Sequence, residues 1–331
     1  MDLTNLDKIL KDEPKYRILQ AKKAVFFDLI EDWSEATIFP LFLRQKLNEV
    51  CPLSITAKIF PSDDKNTIKA VVSLNDGLKI ESVLMKHEDD RNTVCVSSQV
   101  GCPLGCKFCA TGKMGFKRNL EVFEIVEQVL FFTRYLKKEN KRISNIVFMG
   151  MGEPFLNYDN LISAIKILND KDGLNIGARH ISISTVGIIE GIKKLSGEKL
   201  QLNLAISLHA SNSKLRSEIM PVNNSYPIGK ILEAVDDYIE KTNRRIMFEY
   251  ILIDGVNDSK ECALELAELL KKHLCFVNLI LYNPTGTFRP SSVQTAKKFK
   301  EILEKRGISV TQRYRFGQDV GAACGQLAGE Q

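Results

Sequence analysis

The sequence predicts an α/β protein: an open, partial (βα)6 TIM-like barrel, preceded by a small N-terminal helical domain and a β-rich extension. Three observations point there. Six apolar, strand-like runs recur at residues 93–97, 145–149, 180–185, 202–208, 246–253 and 276–282. Amphipathic helical stretches separate them, the alternation that builds parallel βα units. Polar or Gly-rich segments follow the runs, where the active-site loops of a barrel lie, at the C-terminal ends of its strands. Six units are too few to close an eightfold barrel, so the sheet is expected to stay open.

Residues 1–50 form the helical domain. Leu6, Ile9 and Leu10, then 24–30, then 41–47 carry helical patterns, with Pro14 and Pro40 as breaks. The period changes over 51–90, where 55–59, 67–74 and 79–85 alternate or are rich in β-branched residues, and Asn75-Asp76-Gly77 makes a hairpin-type turn. Residues 91–331 form the barrel core. Helix 121–136 places Val122, Ile125, Val126, Val129 and Leu130 on one face, and 227–240 does the same with Ile228, Ile231, Leu232 and Val235. Asp258-x-x-Glu261 and Ser291-x-x-Gln294 fit capping-box starts of two later helices, the second ending at Gly307.

Composition narrows the class. The chain of 331 residues is 44% hydrophobic and 26% charged, an ordinary globular mixture. No run approaches the ~20 apolar residues of a membrane span, and the N-terminus lacks a signal-peptide core, so a cytoplasmic protein is expected. The net charge of +5 tilts only slightly toward an anionic partner. Residues 92–120 hold Lys107, Lys113, Lys117 and Arg118 and no carboxylate. That run is either a bare surface patch or an RNA phosphate path.

Eight cysteines in such a chain argue for metal or redox chemistry rather than a disulfide scaffold. Cys51, Cys262 and Cys275 lie among apolar residues and read as structural. Cys102, Cys106 and Cys109 stand in the spacing C-x3-C-x2-C, in a loop punctuated by Gly101, Pro103 and Gly105. Three thiolates cannot complete a zinc site without a fourth ligand, for which His87 or Cys95 are candidates. They can hold a 4Fe-4S cluster with one iron left open. The polar residues at later strand ends are Gly150-x-Gly152-Glu153, Ser184, the Ser207-Leu208-His209 loop and Asn283. Alone, each is as readily a turn or a cap as a ligand.

C-x3-C-x2-C after the first barrel strand, with Phe108 before the last cysteine, resembles the signature of radical S-adenosylmethionine (SAM) enzymes. VCVSSQVGCPLGCKFCATG, GFKRNL, FMGMGEP, ISISTVGI, SLHA, MPVN, GVND, YNP and AACGQLAG follow in this order. Together they resemble the RlmN branch of the RlmN/Cfr family of radical SAM RNA methyltransferases, over about residues 81–329. The resemblance implies a 4Fe-4S cluster on Cys102, Cys106 and Cys109, and two SAM molecules per turnover. It implies SAM contacts from Gly152, Glu153, Ser184, Ser207, Leu208, His209 and Asn283, with Glu153 facing a cation. Cys324 is then the methyl-accepting cysteine and Cys95 its disulfide partner. Glu81, which read alone is an exposed strand residue, becomes the proton acceptor.

The resemblance implies methylation of adenine C2 in 23S rRNA and in tRNA. A small reducing protein such as flavodoxin or ferredoxin is expected as electron donor, and the chain as a monomer. Pro154 after Gly-Glu and the GFKRNL stretch favour C2 over the C8 chemistry of Cfr-type chains. Two other readings stay open: a different radical SAM enzyme such as a glycyl-radical activase, and a zinc-dependent RNA-binding module.

Overall fold

The computed structural model describes residues 3, 5–313 and 316–328. Helices α1 (Leu6–Ile9), α2 (Tyr16–Lys23) and α3 (Leu41–Val50) open the chain. Trp33, in the turn before α3, is fully buried; its backbone N–H donates to Asn48 Oδ1 of α3 at 2.9 Å and its Nε1 to the Cys51 carbonyl at 2.7 Å. The Asp32 and Glu35 side chains form a reciprocal capping box around the Trp33–Glu35 turn.

Ten strands form one sheet. Its members are β1 (Ala57–Pro61), β2 (Thr67–Ser73), β3 (Lys79–Lys86) and β4 (Asn92–Cys95), then β7 (Asn145–Phe148), β8 (Ile181–Thr185), β9 (Asn203–Ser207), β10 (Ile246–Leu252), β11 (Cys275–Leu281) and β12 (Val310–Gln312). Between them, β5 (Gln99–Gly101) and β6 (Phe116–Asn119) pair as a separate antiparallel hairpin. Spatial order is β1-β2-β3-β4-β7-β8-β9-β10-β11-β12. Strands β1 to β4 are antiparallel neighbours, and every pairing from β4 to β12 is parallel. All six expected core strands are present, and β1 and β12 remain as edges, so the barrel is open.

Two elements were not legible as strands. β12 is only three residues, Val-Thr-Gln, and its register comes from pairing Val310 with Val277. The β5–β6 hairpin brackets the cysteine loop and carries a bulge between Val100 and Gly101. The remaining helices are α4 (Ala110–Lys113), α5 (Val122–Lys137), α6 (Tyr158–Asn169), α7 (Ile189–Ser196), α8 (Ser213–Ile219), α9 (Ile228–Thr242), α10 (Lys260–Leu270) and α11 (Val293–Lys305). Both capping-box expectations shift by one residue. Ser259 caps α10 by accepting from Cys262 N–H at 3.2 Å, and Ser292 caps α11 by accepting from Thr295 N–H at 3.0 Å. Ser291 instead donates to Asp258 Oδ2 at 2.7 Å, tying the two helix starts together.

A continuous set of buried apolar side chains runs from Leu3 to Leu327. The helical start docks on α5 through Arg134, whose guanidinium donates to the carbonyls of Leu53, at 3.0 Å, and Ile30. No described helix is long and apolar enough to cross a membrane.

Candidate active site

The cysteine loop leaves β5 and returns through α4 to β6. Its shape is held by main-chain bonds: Cys102 N–H donates to Gly115 O at 3.1 Å and Cys109 N–H to Cys106 O at 3.1 Å. Cys102, Cys106 and Cys109 line one cleft of about 770 Å³. Burial pushes the Cys102 thiol up to about 12 and Cys106 higher still, and the neighbouring sulfurs and Glu153 add to both. Crowding three sulfurs into a buried wall favours their ionised form only when a cation joins them, since a metal deprotonates its thiol ligands. Among the described residues no three His, Cys, Asp or Glu side chains stand where a single ion could be held. A cubane cluster makes a different demand, one thiolate per iron. Three cysteines from one loop facing one cleft fit a cluster that keeps one iron open; the fourth cysteine of the cleft, Cys324, comes from the C-terminal segment.

The opposite wall is built at the ends of β7 to β10. Gly152 adopts φ +97°, and a Cβ there would stand 2.5 Å from Gln99 Cβ, so only glycine lets this loop close on the segment after β4. The buried Glu153 carboxylate accepts from the backbone N–H of Phe155 (3.0 Å) and Val186 (2.9 Å). Burial nevertheless raises its pKa to about 7.

Ser184 and Ser207 lie 3.0 Å apart through their hydroxyls, and Ser184 donates to Glu249 Oε2 at 2.9 Å. Leu208 is fully buried and contributes its backbone N–H to Glu249 O at 3.1 Å rather than a side chain to the cleft. His209 lines the cleft edge-on to Phe108, with ring centroids 5.0 Å apart. Its Nδ1 accepts from Ile251 N–H at 3.1 Å, and burial, with Arg216 adding to it, lowers its pKa to about 3. It is a neutral ring.

Cys324 approaches from the C-terminal segment. Ala110 N–H donates to Gly325 O at 2.7 Å and Thr111 Oγ1 to Leu327 O at 2.6 Å, so the segment is sewn to the helix that follows Cys109. Asn283 donates to the Cys324 carbonyl at 3.2 Å and accepts from Gln318 at 2.7 Å, which places it against this segment. Cys324 and Cys95 line a second cavity of about 710 Å³ that also contains Asn283. Residues lining both cavities include Cys109, Met149, Arg313 and Cys324. Both thiols are free, and burial raises the pKa of each, Cys95 to about 12 with Cys324 adding to the rise.

Glu81 is not the exposed strand residue that it looks in isolation: it is 1% exposed. Its carboxylate stands 3.4 Å from Lys69 Nζ and accepts from Ala328 N–H at 3.1 Å, and it lines neither cavity.

Two residues of the site were missed. Glu249 and Arg313 face each other at 3.5 Å, and Arg313 reaches Met149 Sδ at 3.0 Å. A carboxylate between Phe248 and Tyr250 in an otherwise apolar strand was a usable signal. Arg313, just past a short edge strand, offered none. Of the four cations noted above, Arg118 is neutralised by Glu124 and Asp76, both at 2.7 Å, whereas Lys107, Lys113 and Lys117 are exposed.

The family model for the radical SAM superfamily matches residues 96–270. A probable dual-specificity RNA methyltransferase RlmN from Dictyoglomus thermophilum is 48% identical over 330 residues, 98% of this chain and 94% of that one. The ribosomal RNA large subunit methyltransferase N of Nitrosopumilus maritimus is 42% identical over 98% of both chains. The chain belongs to the RlmN family of radical SAM enzymes. Its fold agrees: the crystal structure of a radical SAM methyltransferase from Sphaerobacter thermophilus superposes with a TM-score of 0.96 at 45% identity, covering 100% of this chain and 98% of that one.

Proposed function

We propose that this protein is a cytoplasmic RNA methyltransferase acting at C2 of an adenosine in the peptidyl-transferase region of 23S rRNA, and at the adenosine 3′ of the anticodon in tRNA. Residues 1–50 serve as an accessory domain and 51–90 as the extension that carries Glu81. The observation that carries the reading is the pair of adjoining cavities: three cysteines on the wall of one, Cys95 and Cys324 together in the other, and Cys324 on the boundary between them.

When bound, a 4Fe-4S cluster and SAM supply both a methyl group and a one-electron cleavage that generates a 5′-deoxyadenosyl radical. Cys102, Cys106 and Cys109 would hold the cluster. Gly152, Glu153, Ser184, Ser207, His209 and the backbone at Leu208 shape the wall that receives SAM. Glu249 fixes the orientation of the Ser184 hydroxyl there.

An aromatic C–H carbon is too weak a nucleophile to take a methyl from a sulfonium, whereas a thiolate can. Cys324 is the group placed to carry the methyl. The Arg313 guanidinium beside it pulls its pKa down against burial. Cys95 faces the same cavity and would release the product by closing a disulfide with Cys324. Glu81 would accept the ring proton, and since its carboxylate now holds Ala328 N–H, that role requires the 326–328 segment to let go. Asn283 positions Cys324 through its carbonyl. Lys107, Lys113 and Lys117 are the exposed charges available to RNA phosphates. Electrons come from a low-potential donor such as flavodoxin or ferredoxin, and the protein works as a monomer.

The test is anaerobic reconstitution with iron, sulfide and SAM, incubation with protein-free 23S rRNA and tRNA, and nucleoside mass spectrometry. 2-Methyladenosine is the expected product, and 8-methyladenosine would move the chain to the Cfr-type chemistry. No methyladenosine from protein with an intact cluster refutes the reading.

A further inference from the structure

Arg216 is fully buried in α8 beneath the cysteine loop. Its guanidinium makes five hydrogen bonds, and every acceptor is neutral. Nε donates to Leu208 O (3.1 Å), Nη1 to Asn223 Oδ1 (3.1 Å) and Tyr226 O (2.9 Å), and Nη2 to Val186 O (2.5 Å) and Ser207 O (3.3 Å). It forms no ion pair among the described residues. Glu153, the buried carboxylate of the same wall, is turned to the Val186 and Phe155 N–H groups. A buried cation satisfied only by carbonyl dipoles keeps its full charge, at a desolvation cost that proteins ordinarily offset with an opposite charge.

The opposite charge has an obvious address. The turn that ends α8 docks on the cysteine loop, with Lys107 N–H, next to Cys106, donating to Ile219 O at 3.0 Å. Met220, whose N–H donates to Arg216 O at 2.7 Å, lines the cleft with Cys102 and Cys106. Burial draws the Arg216 pKa down to about 10, and the sulfur of Cys106 is the one charge that opposes the fall.

We propose that Arg216 is the built-in counter-charge of the metal centre on Cys102, Cys106 and Cys109 and raises its reduction potential. The inference rests on the cluster reading of those cysteines. A 4Fe-4S cluster in its 2+ state with three thiolates carries a net charge of −1, and accepting one electron from an external reductant takes it to −2. A fixed cation in a low-dielectric wall stabilises the second state more than the first. Arginine suits the position because its planar fork bonds several carbonyls at once and stays charged when buried, whereas lysine loses its proton readily there.

The experiment is an EPR-monitored redox titration of reconstituted full-length protein, with iron and sulfide content measured on each sample. Arg216→Met should lower the ratio of reduced to oxidised cluster at the wild-type midpoint at least tenfold, a shift of ~59 mV for a one-electron couple. Asn223→Asp keeps an acceptor for Nη1 and adds a carboxylate beside the guanidinium; it should shift the ratio the same way with Arg216 still in place. Wild-type ratios in cluster-loaded Arg216→Met overturn the inference, as they do in Asn223→Asp should Arg216→Met lose its iron. A wild-type protein that takes up no iron overturns the cluster reading itself, and this inference with it.

Discussion

Replacing Glu81 with glutamine separates a structural role from a catalytic one. The carboxylate is 3.4 Å from Lys69 Nζ, with the two side chains 1% and 8% exposed. Two unit charges at that separation attract by about 5 kcal/mol at an effective dielectric of 20. Desolvation offsets most of that in the pair, but removing one partner leaves the other buried and uncompensated, which costs about 3–5 kcal/mol. Glutamine can still accept from Ala328 N–H, so the loss isolates the charge.

Urea unfolding followed by circular dichroism should show Glu81→Gln and Lys69→Met each destabilised by about 3–5 kcal/mol. The Lys69→Met/Glu81→Leu double variant should recover most of it. The two single variants should part company in turnover. Lys69→Met should still complete methylation, whereas Glu81→Gln should stall with RNA covalently attached to Cys324, visible as a band retarded on denaturing gels. A stability loss below about 1 kcal/mol refutes the buried-pair reasoning. Equal turnover by both variants refutes proton transfer through Glu81.

Other outcomes follow from the same geometry. Cys324→Ser should abolish protein methylation from labelled SAM, while Cys95→Ser should still be methylated and accumulate the RNA adduct; adduct-free turnover by Cys95→Ser would remove it from the mechanism. Gly152→Ala, which combines φ +97° with a Cβ 2.5 Å from Gln99, should lower stability by more than about 1 kcal/mol and weaken SAM binding measured by calorimetry. His209 has a folded pKa of about 3, below its unfolded 6.5, so the unfolded state takes up its proton first as pH falls. Stability held at pH 7 should therefore drop by about 2 kcal/mol at pH 5 through this residue, and His209→Gln should flatten that part of the profile in urea titrations.

Much of the fold was legible because its signals are local. Six buried parallel strands need continuous apolar runs, and those runs are written in the chain, as are the glycines of the Gly150–Gly152 loop. The cap positions slipped by one residue because Ser259 and Ser292 stand beside equally plausible Asp258 and Ser291, and only the path of the chain into each helix chooses between them. β12 was missed because a three-residue edge strand takes its identity from its partner, not from its own hydrophobicity.

The cysteine loop points to metal or cluster chemistry through residue type and spacing, and that much the sequence determines alone; the strand-end polar residues and Cys324 are legible only through the motifs that resemble the family. What it could not decide is which charges end up facing which. Glu81 looks solvent-exposed until strand pairing and the C-terminal segment bury it beside Lys69. Arg118, one of four apparent RNA-facing cations, is neutralised by Asp76 and Glu124. Glu249 and Arg313, 64 residues apart, meet where the two cavities join. Arg216 becomes a bare buried charge only because three chain segments, at Val186, Ser207–Leu208 and Asn223–Tyr226, converge their carbonyls on it. Electrostatic partners are set by distances in space, to which spacing along a chain is blind; tertiary structure alone supplies them.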